Sequence, residues 1–143
     1  MAARQAVDLL HHFADFVAIE PGTALPMFKT SSDVRAAIRP VCVFARTTTP
    51  VDDVSSLLMD VADAFKHHRP DRKSATVGVS FAITTSYGGY GELRYGEGKY
   101  GGAEQTIVAR ITGERRALSS ILRNVFDAWI SYLKLPLPPI SQY

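Results

Sequence analysis

Two stretches of apolar alternation enclose a segment rich in tyrosine and glycine. Val77, Val79, Phe81 and Ile83 alternate with Gly78, Ser80, Ala82 and Thr84, and Ile107, Ala109 and Ile111 alternate with Val108, Arg110 and Thr112. Period-two alternation marks half-buried strands. Between them, residues 87–102 hold seven of the ten glycines and four of the six tyrosines. The simplest geometry is an antiparallel hairpin with arms at 75–85 and 104–112. Its tip far exceeds the usual ~2–5 residues of a hairpin loop.

That tip repeats a five-residue unit: Tyr90-Gly91-Glu92-Leu93-Arg94, Tyr95-Gly96-Glu97-Gly98-Lys99, then Tyr100-Gly101-Gly102. Glycine makes such a segment poor at holding one shape by itself. Tyr87, Tyr90, Tyr95 and Tyr100 offer apolar faces with polar tips, suited to contact with a second surface. Glu92 and Glu97 balance Arg94 and Lys99 within the loop. The segment is expected to take its order from another chain, with Arg94 and Lys99 among the contact residues.

The rest of the chain predicts three principal helices. Over 3–18, Ala6, Leu10, Phe13 and Val17 share a stripe, flanked by Val7 and Ala14. Over 51–67, Val54, Leu57, Leu58, Val61, Ala62 and Phe65 form an apolar face. Thr49 reads as a cap there, Pro50 as a first helical residue, and Asp52 and Asp53 as complements to the dipole. Over 114–134, Leu118, Ile121, Leu122, Val125, Trp129 and Leu133 recur at helical spacing, widened by Phe126 and Ile130. So broad a stripe predicts cover on two sides, placing Trp129 at an interface. Residues 34–38 read as a short helix capped by Ser31 or Ser32, or as the start of a strand. Val41–Ala45 reads as a buried strand, with Cys42 an inert buried thiol. The expected fold is α+β: a small, mainly antiparallel sheet from 41–46, 75–85 and 104–112, flanked by the three helices. Residues 1–134 form one domain with loop 86–103 protruding, and 135–143 an extended arm.

The arm, Leu135-Pro136-Leu137-Pro138-Pro139-Ile140-Ser141-Gln142-Tyr143, carries three prolines in four positions. Proline fixes φ and favours polyproline-like extension. Leu135, Leu137, Ile140 and Tyr143 are therefore apolar side chains that await a surface.

Candidate chemistry is sparse. The length of 143 residues suits one domain, and the net charge of +2 is too small to argue for nucleic acid or a membrane. No run approaches the ~18 apolar residues of a membrane span. One cysteine excludes an internal disulfide. His11-His12 and His67-His68 are adjacent pairs, whereas a helical two-histidine metal site needs i, i+4 spacing, so no metal is expected. The glycines of 88–102 fit neither phosphate-loop spacing nor the dinucleotide pattern, and no cofactor is expected. No nucleophile carries a recognisable setting, so the chain reads as a non-enzyme. Arg110, Arg115, Arg116 and Arg123 make a small basic patch. With the loop tyrosines it forms the alternative reading, a module that stacks single-stranded nucleic acid.

The order of elements, together with Tyr95-Gly96-Glu97-Gly98-Lys99-Tyr100-Gly101, resembles small tailed-phage virion proteins of the neck and tail, such as tail-terminator subunits. That resemblance implies a helix-flanked sheet with a long hairpin loop, ring assembly, and residence in a virion built in a host cytoplasm. Its site residues have no counterparts that can be matched one by one. Filamentous virus coat subunits are a second, poorer likeness, since those are mostly helical. The expected function is a structural subunit of a homo-oligomeric assembly, partnered by itself and by neighbouring structural subunits.

Overall fold

The computed structural model describes residues 2–20, 22, 25–44, 47–66, 83–86, 93, 97 and 104–136. Helix α1 (Ala2–Ile19) leads to α2 (Ser31–Ile38), a 3-10 turn (Arg39–Val41), a π-helical turn (Asp53–Leu57) and α3 (Leu58–Lys66). Strands β1 (Ile83–Ser86), β2 (Gln105–Ala109) and β3 (Arg115–Ala117) follow, then α4 (Leu118–Tyr132). The α+β expectation holds, with a three-stranded antiparallel sheet in the order β1-β2-β3.

The hairpin around the Tyr/Gly segment is present. Ile83 pairs with Val108 and Ser86 with Gln105, so the two arms run antiparallel on either side of it. Residues 67–82, the first part of the expected arm included, lie outside the described residues.

Three expectations need correction. The sheet's third strand is β3, not 41–46. At Gly113, φ is +87°, a left-handed conformation that glycine adopts freely. The turn is closed by Gly113 N–H donating to the Arg110 carbonyl at 2.9 Å and Arg110 N–H to the Glu114 carbonyl at 2.8 Å. The chain runs back along β2 before the helix starts, so α4 begins at Leu118 rather than 114. Residues 42–44 instead fold against 49–51: Val43 bridges Pro50, and Phe44 N–H donates to the Thr49 carbonyl at 2.8 Å. Cys42 and Phe44 are buried without joining the sheet. Pro50 is thus spent on that bridge, and the third helix opens at Asp53 in a wide turn whose first N–H groups gather on the Asp52 carbonyl.

The fourth helix, α2, settles the alternative left open at 34–38. Its cap is Thr30, one residue before the expected serines. Thr30 Oγ1 accepts from Asp33 N–H at 3.2 Å, and Asp33 Oδ2 accepts from Thr30 N–H at 3.1 Å, a reciprocal capping box.

One core joins all layers. Leu118, Ile121, Val125 and Trp129 of α4 meet Val7, Ala14 and Val17 of α1, Val34 and Ile38 of α2, and Leu58 and Val61 of α3. In α1 the buried line is therefore Val7, Ala14 and Val17, rotated away from Phe13, which stays partly exposed. Small residues on that line let α1 sit close to its neighbours, and the large ones are left outward.

Candidate assembly face and its polar anchor

Beneath the sheet, β3 turns Arg116 inward. Its Nη1 and Nη2 donate to the two carboxylate oxygens of Asp53, each at 3.0 Å, and its Nε donates to Glu97 Oε1. Asn124 Nδ2 on α4 adds a bond to Asp53 Oδ2 at 2.9 Å. All four side chains are buried. Burial alone would lower the Arg116 pKa, but the hydrogen bonds and charges of Asp53 and Glu97 raise it above its ordinary value. The guanidinium therefore stays charged, and the bidentate geometry fixes π turn to strand. Glu97 Oε2 is buried with no hydrogen bond among the described residues.

A second cluster lies beside the first. Arg110 Nη2 donates to Asp52 Oδ2 at 2.7 Å, and its Nη1 to Glu114 Oε2 at 3.0 Å. Burial pushes the Asp52 carboxyl up, yet bonds from Arg110 and Ser56 with the Arg110 charge hold it below the usual carboxylate range. Arg39, Thr49, Asp52, Arg110, Glu114 and Arg116 line a cleft of about 400 Å³. Within it Asp52 and Glu114 are both paired with Arg110.

Two sequence expectations change here. The basic patch loses Arg116 and Arg110 to internal ion pairs, and Arg123 lies 3.6 Å from Asp127. Glu97 does not serve to balance the loop: it inserts into the chain's own core. At this residue the Tyr/Gly segment is held by its own chain, through Arg116.

One surface feature is apolar. On α1, Leu9 is 74% exposed, Phe16 68% and Ile19 80%, with Phe13 also on the surface. Leu9, Phe13 and Phe16 stand at i, i+4 and i+7, one line along the helix. α4 runs beside α1 in the same direction: Ala3 shares a cleft with Leu118 and Leu122, and further along Phe13 meets Trp129 edge-on at 4.6 Å. Phe126 is exposed one turn before Trp129. The seam between the helices is thus aromatic and bordered by large apolar side chains. Large apolar side chains exposed together in this way mark interaction surfaces.

Of the residues expected at an interface, Trp129 is 3% exposed and belongs to its own core, and Leu135 is exposed just beyond α4. Tyr87, Tyr90, Arg94, Tyr95, Lys99, Tyr100, Leu137, Ile140 and Tyr143 lie outside the described residues. Leu9, Phe16 and Ile19 went unmarked, although a helical wheel sets Leu9 and Phe16 opposite Val7 and Ala14.

Among the described residues no group of three His, Cys, Asp or Glu side chains is placed to hold a metal ion, and no helix is long and apolar enough to cross a membrane. No family model, curated protein or solved structure matches the chain.

Proposed function

We propose that the chain is a structural subunit that assembles with copies of itself through the apolar seam of α1 and α4. The observation that carries this reading is the line Leu9–Phe13–Phe16 with Ile19, exposed on a helix whose opposite side already fills the core. Leaving so many large apolar groups in water is unfavourable at roughly 25 cal/mol per Å², and a second copy removes them from it. The likeness of the element order and the Tyr/Gly loop to phage neck and tail proteins supports the finer version, a ring or tube component of a virion. In that setting the loop tyrosines serve as contacts to neighbouring subunits. Negative-stain images of the purified chain should show closed rings or short tubes. Preparations at high concentration with no particle larger than one subunit would count against the reading.

A further inference from the structure

We propose that residues 137–143 of one copy dock along the α1/α4 seam of another. The inference rests on the assembly reading and names the segment that completes it.

The end of α4 aims the chain outward. Lys134 N–H donates to the Ser131 carbonyl at 3.2 Å and Leu135 N–H to the Ile130 carbonyl at 3.0 Å, with Lys134 at φ +54°. This is a Schellman motif, which closes the helix and sets the exit direction. Leu135 and Pro136 are then exposed, not packed on the chain's own core. That favours a neighbour's seam over its own.

Segment and seam match in chemistry. Pro136, Pro138 and Pro139 fix φ, and each disfavours the helical region for the residue before it. A polyproline segment has three residues per turn, which sets Leu137, Ile140 and Tyr143 on one edge, about 9 Å apart. Seven such residues span about 22 Å, against about 15 Å from Leu9 to Ile19 along α1. Preformed segments of this type are recognised by aromatic-lined grooves. Phe13, Phe16 and Phe126 supply exposed aromatic faces of that kind. Residues 137–143 carry no charged side chain to desolvate.

The experiment compares the full chain with a chain ending at Pro136, and titrates the truncated chain with a labelled peptide of residues 135–143. Anisotropy of the label and fluorescence of Trp129, the one tryptophan, report binding. The full chain should assemble and the truncated chain should need at least tenfold higher concentration to do so. The peptide should bind the truncated chain, and Leu9→Asp with Phe16→Asp should weaken that binding at least tenfold while circular dichroism stays unchanged. A truncated chain that assembles like the full one overturns the docking while leaving the assembly reading intact. Peptide binding indifferent to Leu9→Asp and Phe16→Asp overturns it as well. A full chain that stays single overturns the assembly reading. If the peptide still binds its truncated form, the arm occupies its own seam instead.

Discussion

At the scale of single residues, Arg116 decides most. It ties β3 to Asp53 and to Glu97 from positions that sequence separates widely. Arg116→Leu removes the cation and leaves two buried carboxylates without compensation, so it should cost about 3–5 kcal/mol, read as a drop in the urea midpoint. Glu97→Gln should cost less, because the bidentate bond to Asp53 remains. Equal losses from the two would show that Asp53 does not hold Arg116. His11 supplies a pH signature. Burial, then the charges of Arg35 and His12, lower its pKa from 6.5 to about 4, with Asp15 opposing and Lys66 adding. The unfolded chain binds that proton near pH 6.5, so between pH 6.5 and 4 it holds more protons than the folded chain. Stability therefore falls as pH drops through this window. His11→Gln should narrow the difference in melting temperature between pH 7.5 and pH 5. An unchanged difference would mean that His11 is hydrated as in the unfolded chain.

At the scale of elements, Lys134 sits left-handed at the C-terminal cap of α4, where glycine carries no steric penalty. Lys134→Gly should leave stability level or raise it by up to about 1 kcal/mol. Thr30→Ala removes one half of the α2 capping box and should cost about 1 kcal/mol, seen by thermal unfolding. The helices were legible because Val54–Phe65 and Leu118–Leu133 repeat at the helical period over several turns. The hairpin was legible because its arms alternate. The run at 41–45 misled because apolar, β-branched residues suit a buried loop as well as a strand, and the Val43–Pro50 bridge has no local signature. Gly113 marked a turn, but nothing near it told that Arg115–Ala117 would pair before the helix began. The Arg116–Asp53–Glu97 cluster was illegible for a deeper reason: charged residues in sequence carry the sign of their charge but not the direction they face. Asp52 and Asp53 read equally well as helix-dipole partners. The apolar seam was half legible. Phe13 was assigned to the buried stripe of α1, and the smaller Val7 and Ala14 took that place.

At the scale of the whole molecule, a compact core is closed by α1, α2, α3 and the sheet around α4, yet one of its outer helices remains apolar on the outside. The internal ion pairs turn Arg110 and Arg116 away from the surface, which removes cations that nucleic-acid binding would use. On α1 the outward side chains include Leu9, Phe13, Phe16 and Ile19, and that favours association driven by burial over association driven by charge. Such association should survive salt: raising sodium chloride from 0.1 to 0.5 M should leave the assembled fraction unchanged or increased. Its central test is sedimentation equilibrium at high protein concentration on the full chain and on the Leu9→Asp, Phe16→Asp variant. The account predicts a mass several times the 15.7 kDa of one chain for the first and a single-chain mass for the second. A full chain that sediments as one copy, or a variant that assembles unchanged, would contradict it.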